Sequence, residues 1–151
     1  MKQTLLLAAA LAAIPLAATA QTAPAGLTSE QIIAARQTGY ALSAADFAAM
    51  KQAADAGADV RQLAFPARAI ARWARTLPSL FPAGTDGPTS KATPAVWTDR
   101  AGFEARATAY ADAARALAEA AQTGDRAVFL ERWTALRGTC SACHDTYRQP
   151  D

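Results

Sequence analysis

The residues best suited to do chemistry stand together near the carboxyl end of the chain. Residues 140–144 read Cys-Ser-Ala-Cys-His. Two cysteines three positions apart are neighbours on one face of a helix. The C-x-x-C-H pattern is typical of covalent haem attachment, in which two thiols bind one porphyrin edge and the adjacent histidine binds iron. The spacing therefore predicts that Cys140 and Cys143 attach one haem c and that His144 is its iron ligand.

The composition leaves few other interpretations of this motif. The chain has two cysteines and one histidine in all. A redox dithiol with this spacing would need a thioredoxin-like βαβ context, and the sequence has no convincing strand pattern. A zinc site would need further cysteine or histidine ligands. A structural disulfide would leave the adjacent histidine unexplained, so haem attachment is the favoured interpretation.

A sixth iron ligand would have to come from upstream of the motif. No second histidine is available, and Met50 is the one methionine apart from Met1. Met50 lies three residues after Phe47, so it could face the interior of a helical domain. Two interpretations stay open: an axial ligand, or, as we favour, an ordinary core side chain.

The amino-terminal residues predict a cleaved signal peptide over residues 1–20. Lys2 is followed by an apolar run over residues 5–16, and Ala-Thr-Ala at 18–20 suits a signal peptidase. The run is too short for a confident transmembrane helix, although an uncleaved anchor is the alternative. We therefore expect export and a mature domain over residues 21–151; the periplasm as its location is implied by the family resemblance described below.

The charge balance of the mature chain argues against a nucleic-acid partner. Without Lys2, 14 basic and 13 acidic residues remain, whereas a nucleic-acid surface needs clustered excess lysine and arginine. No other apolar run approaches membrane-spanning length, so we expect no membrane contact after cleavage.

The apolar periodicity predicts an all-α domain, an antiparallel four-helix bundle. Alanine is abundant, and alanine is the best helix former. We expect helices from Thr28 to about residue 56, to about Leu77, from Asp99 to Gly124, and from Asp125 onward. The second helix should start near Phe65 or kink at Pro66, because a proline inside a helix removes a hydrogen bond.

The last predicted helix places both cysteines on the stripe that faces the bundle interior. The stripe alternates steps of four and three residues: Phe129, Trp133, Leu136, Cys140, Cys143 and Tyr147. The haem should therefore lie inside the bundle.

Together these segments resemble cytochrome c prime, the high-spin class II cytochromes c of bacterial periplasms, over residues 28–148. The most specific matches are Arg-Gln-Thr-Gly-Tyr at 36–40 and Cys-Ser-Ala-Cys-His-Asp-Thr-Tyr-Arg at 140–148. Supporting matches lie at residues 77–78, 81, 84–85 and 94–99.

The resemblance implies a bundle that is commonly a homodimer through its first two helices. It implies five-coordinate iron with His144 on the proximal side, Arg36 and Gln37 beside the haem, and Tyr40 as the bulky distal residue. Arg148 matches the basic residue near the proximal histidine. Taken without the resemblance, Arg36 could equally be a solvated surface residue, and Tyr40 an ordinary core aromatic.

These implications favour a non-enzymatic protein that transfers electrons with an unidentified periplasmic redox partner, binds NO and CO, or does both. The alternative is a six-coordinate electron carrier with Met50 as sixth ligand. A peroxidase-like enzyme would want a distal acid–base residue, usually histidine, and none remains. Pro66 departs from the family pattern, in which the second helix is usually continuous. A kink there would put the usual homodimer in question.

Overall fold

The computed structural model describes residues 26–150, so the predicted signal peptide lies outside the described residues. Four long helices account for most of this range: α1 (Ser29–Asp55), α2 (Ala64–Thr76), α4 (Arg100–Thr123) and α5 (Arg126–Tyr147). The short helix α3 (Ala95–Thr98) precedes α4. Helix α4 packs against α2 and α5, and α1 packs against the same two helices. The predicted four-helix bundle is confirmed.

The helix ends follow the local chemistry of the sequence. Thr28 and Gln31 form a reciprocal capping box at the start of α1. The Asp99 carboxylate accepts from the Gly102 N–H and caps α4. Each cap satisfies backbone donors that a helix start leaves without an intrahelical partner. The predicted starts of both helices are confirmed.

The turn between α4 and α5 is also as predicted. Gly124 ends α4 with a φ of 78°, a left-handed conformation that favours glycine. Asp125 then accepts from the N–H groups of Ala127 and Val128 and starts α5. The cap fixes the residue at which α5 begins. Because α5 is continuous from there to Tyr147, its start also sets the face of the helix on which both cysteines lie.

Pro66 causes no break in the second helix. A 3₁₀ turn (Val60–Leu63) leads into α2, which begins at Ala64. Pro66 therefore lies in the first helical turn, where its missing N–H has no intrahelical acceptor to lose. Of the two predicted outcomes, the helix start near Phe65 is the one observed.

Two apolar clusters form the core. The larger joins all four long helices, and its fully buried side chains include Met50, Ile70, Leu117 and Phe129. The smaller contains Phe81, Val96, Phe103 and Tyr147, with Tyr40 and Cys143 packed against it. The cysteine motif therefore borders the smaller cluster, while Met50 belongs to the larger one.

Strand structure within residues 26–150 is limited to one isolated antiparallel bridge between Ala92 and Arg148. None of the described helices is both long and apolar enough to span a membrane.

Candidate functional site

A cavity of about 640 Å³ opens between α1, α4, α5 and the loop before α3. This volume is in the range of small-molecule and cofactor sites, about 300–1,000 Å³. Its lining includes every residue predicted for the site: Arg36, Gln37, Tyr40, Cys140, Cys143 and His144. The structure therefore brings together segments of α1 and α5 that are about a hundred residues apart in sequence.

Helix α5 supplies the thiols and the imidazole. Cys140 and Cys143 are half-buried at the cavity wall, and His144 is exposed while lining the same cavity. Burial raises the pKa of both thiols, and for Cys143 the neighbouring Cys140 thiol adds to the increase. Burial acts in this direction because it disfavours the thiolate.

The carboxyl end of α5 is held against the loop before α3. The Thr93 N–H donates to the Tyr147 carbonyl at 3.1 Å, and the Thr93 hydroxyl donates to the Thr146 carbonyl at 2.8 Å. The Gln149 N–H donates to the Lys91 carbonyl at 2.8 Å. These bonds lie on the carboxyl side of the cysteine motif and join the end of the helix that carries His144 to the loop before α3.

Tyr147 adds a second attachment, to the start of α4. Its hydroxyl donates to the Asp99 carboxylate at 2.7 Å, and this bond raises the pKa of the Tyr147 phenol. Asp99 is also the cap of α4. One carboxylate therefore links the start of α4 to the end of α5.

Arg36 reaches the cavity from α1 and is only 3% exposed. Its Nη1 donates to the Leu80 carbonyl and the Thr85 hydroxyl, and its Nη2 donates to the Thr85 carbonyl and the Ser90 hydroxyl, at 2.6–3.1 Å. The guanidinium carbon also lies 4.2 Å from the centre of the Phe81 ring. Arg36 is thus not a solvated surface residue; it organises the loop before α3 at the cavity wall.

Gln37 and Tyr40 continue the α1 side of the cavity. The Gln37 amide donates to the Thr89 carbonyl at 2.7 Å, so it also holds the loop. The Tyr40 ring meets Trp73 of α2 edge to face, with centroids 5.6 Å apart. Burial raises the pKa of the Tyr40 phenol above its usual range.

Further lining residues were not singled out as site residues from the sequence. Ser43, Phe47 and Tyr110 face the cavity, and burial raises the pKa of Tyr110 to about 12. Ser43 and Phe47 follow Tyr40 by three and seven positions on α1. This helical spacing could have identified them once Tyr40 was assigned to the cavity.

The cavity is electropositive. Among the described residues that line it, Arg36, Lys91, Arg106, Arg137 and Arg148 are basic, and none is acidic. The chain as a whole carries a formal net charge of only +2 at pH 7. Basic side chains are therefore concentrated at this site.

Met50 does not line this cavity. It is 1% exposed and packs in the larger core cluster, among residues of α1, α2, α4 and α5. The core interpretation of Met50 is confirmed, and this position argues against its being the sixth iron ligand.

The residues present fit a c-type haem. Two thiols and an imidazole lie on one wall, aromatic and aliphatic side chains form much of the rest, and cationic groups suit the propionate carboxylates of a porphyrin. A four-helix bundle with a C-x-x-C-H segment at its cavity defines the class of helical-bundle c-type haem proteins.

Comparison with known proteins narrows this class. A family model described as cytochrome c' matches residues 31–148. The chain therefore belongs to the cytochrome c' family, whose members carry a c-type haem with iron.

Two relatives illustrate the extent of the sequence match. Cytochrome c' from Pararhodospirillum photometricum is 45% identical over 84 residues, which cover 55% of this chain and 67% of that protein. Cytochrome c' from Cereibacter sphaeroides is 34% identical over 151 residues, which cover 95% of each chain.

Solved structures share the fold. A cytochrome c' described as having an unusual ligand-controlled dimer dissociation aligns with a TM-score of 0.78 and 27% identity, over 83% of this chain and all of that one. A nitric oxide complex of a cytochrome c prime variant from Alcaligenes xylosoxidans aligns with a TM-score of 0.76 and 26% identity, over 84% of this chain and all of that one. A carbon monoxide-bound variant from the same organism aligns with a TM-score of 0.74 and 27% identity, over 82% of this chain and 98% of that one.

Proposed function

We propose that this chain is a periplasmic cytochrome with a high-spin, five-coordinate haem that binds NO and CO and transfers electrons. The observation that carries the proposal is the lining of the cavity. One histidine lies beside two thiols, and none of the other described lining residues is a histidine or a methionine.

In this proposal Cys140 and Cys143 attach one haem per chain and His144 binds its iron. The bound haem supplies the redox-active iron and a coordination position for a small neutral ligand. Arg36 and Gln37 flank the haem and hold the loop before α3 beside it. Tyr40 lines the cavity and would limit the access of a small ligand to the bound haem.

The properties of similar proteins support gas binding. NO and CO are bound in the two Alcaligenes xylosoxidans variants described above. The cavity of this chain is walled by aromatic rings, including Tyr40, Phe47, Phe103 and Tyr110. Apolar walls of this kind admit neutral diatomic molecules more readily than charged ones, because an ion would lose its hydration.

The optical spectrum of the reduced protein, with and without CO, tests the open coordination position. A high-spin spectrum whose Soret band changes on addition of CO is the expected result. A low-spin spectrum that does not respond to CO would contradict the proposal. If that spectrum also carries a methionine-to-iron charge-transfer band, Met50→Leu would show whether Met50 is the ligand.

Acid-acetone extraction tests covalent attachment. Haem should stay with the wild-type protein and be extracted from the variant that combines Cys140→Ala with Cys143→Ala. Ser141→Ala is a matched control, since it alters an exposed residue of the same motif and leaves both thiols in place. Haem that is extracted from the wild-type protein would show that it is not covalently attached.

Export is part of the proposal. Cleavage after Ala20 gives a mature protein that begins at Gln21, and mass spectrometry of the periplasmic fraction should find this terminus. A chain that retains residues 1–20 in the membrane fraction would support the uncleaved anchor instead.

The proposed assembly is a homodimer through the first two helices. Leu42 on α1 and Phe65 on α2 are large apolar side chains that are 64% and 66% exposed. A structurally similar cytochrome c' forms a dimer whose dissociation is controlled by a ligand. Because Pro66 leaves α2 continuous from Ala64, it does not remove the second helix from such an interface.

We do not propose an enzymatic activity. No histidine other than His144 is present in the chain to act as a distal acid–base group. Peroxide turnover by the haem-loaded protein at enzyme-like rates would contradict this part of the proposal.

A further inference from the structure

Helix α1 has a notch at Gly39 that receives the indole ring of Trp73 from α2. A Cβ atom built on Gly39 would overlap Cη2 and Cζ3 of the Trp73 ring. No side chain other than hydrogen leaves room for the ring in this position. The next residue is Tyr40, so the notch brings Trp73 directly against the residue that lines the cavity.

Trp73 itself does not line the cavity, whereas Tyr40 does. The two rings meet at an interplanar angle of 88° with centroids 5.6 Å apart. This is the edge-to-face arrangement that aromatic pairs prefer. Trp73 therefore contacts the Tyr40 ring without being part of the cavity wall itself.

The indole N–H of Trp73 differs from those of the other two tryptophans. The indole Nε1 of Trp73 is buried and has no partner among the described residues. In contrast, Nε1 of Trp97 donates to the Pro82 carbonyl and Nε1 of Trp133 donates to the Phe47 carbonyl. No hydrogen bond from the indole to a described residue fixes the Trp73 ring, so its packing, which includes the contacts with Gly39 and Tyr40, holds it in place.

We propose that Trp73 is a positioning residue that holds Tyr40 in the cavity and thereby slows the entry of diatomic ligands to the haem iron. The inference rests on the proposed function. A ligand that enters on the Tyr40 side must displace the ring, and displacement breaks its contact with Trp73. An aromatic pair of this geometry changes a rate or an equilibrium by about two- to tenfold.

The rate of CO association with the reduced, haem-loaded protein tests the inference. Trp73→Leu should raise this rate about two- to tenfold, and Tyr40→Ala should raise it at least as much. In the Tyr40→Ala background, Trp73→Leu should have no further effect. Trp73→Phe keeps an aromatic ring and should recover part of the wild-type rate.

Ile70→Ala separates positioning from general loss of packing. Ile70 is one turn earlier on α2, is 1% exposed and packs in the larger core cluster rather than against Tyr40. This variant should be less stable than the wild type with an unchanged CO association rate. An equal acceleration in Ile70→Ala and Trp73→Leu would overturn the inference, as would a wild-type rate in Trp73→Leu.

Coupling between the two residues gives a readout other than ligand binding. A double-mutant cycle on the free energy of unfolding should show coupling between Tyr40 and Trp73 in the CO-free protein and less coupling in the CO complex. Equal coupling in both forms would overturn the inference. A wild-type protein that does not bind CO would instead overturn the proposed function, so the two failures are distinguishable.

Discussion

Arg36 is the one ionised side chain that is buried among the described residues, and its partners are all neutral oxygen atoms. Burial lowers its pKa, although an arginine stays charged in proteins. A buried cation is tolerated only when its donors are satisfied. The loop that contains Thr85 and Ser90 therefore supplies the oxygen atoms that accept the hydrogen bonds of this buried guanidinium group.

Replacing Arg36 with methionine should lower the free energy of unfolding by about 2–3 kcal/mol, because the carbonyl and hydroxyl groups that it holds lose their donor. Denaturant unfolding measures this effect. Arg132→Met is the control: Arg132 is exposed and its nearest carboxylate, Glu131, is 3.8 Å away. The control should change stability by less than about 1 kcal/mol. Equal losses in the two variants would contradict the role assigned to Arg36.

The phenol of Tyr110 should make the free energy of unfolding depend on pH in the alkaline range. Burial raises its pKa from 10.0 to about 12 in the folded protein. Between these values the unfolded chain loses the phenol proton while the folded protein keeps it, so stability falls as pH rises through this window. In Tyr110→Phe the fall should be smaller. Denaturant unfolding on both sides of the window checks this, and identical pH profiles for the two proteins would contradict it.

At the scale of helices, the contact between α1 and α2 depends on a glycine in the middle of α1. Gly39→Ala should destabilise the protein by about 1–3 kcal/mol, because the added Cβ overlaps the indole ring of Trp73. Gly138→Ala on α5 is the matched control, since a Cβ there has no atom within 4 Å. The control should stabilise by about 0.5–1 kcal/mol through helix propensity. Thermal unfolding gives both values, and a stabilising Gly39→Ala would contradict the tight contact.

At the scale of the whole molecule, assembly should depend on the exposed apolar residues of the first two helices. Leu42→Glu should convert the proposed homodimer into a monomer, because a charge would be buried in the interface. Val128→Glu is the control, as Val128 lies on α5 and is 36% exposed. Sedimentation velocity should show a monomer for the first variant and a dimer for the second. A wild-type monomer at all concentrations would exclude the dimer.

The sequence alone was sufficient for features that depend on neighbours along the chain. The caps at Thr28, Asp99 and Asp125 and the stop at Gly124 use side chains within three residues of the backbone groups they satisfy. The cysteine motif is local as well, because the proposed haem attachment requires two thiols at a fixed helical spacing. Helix ends and the prediction of haem attachment could therefore be read directly from the order of the residues.

The tertiary structure decided what depends on distant contacts. Arg36 and Tyr40 could each have faced solvent or core, and only the packing of α1 against α2, α5 and the loop shows that both line the cavity. The buried position of Met50 and the notch that joins Gly39 to Trp73 likewise depend on how the helices cross. Side-chain periodicity defines the inward face of a helix, but it does not specify which partner that face meets.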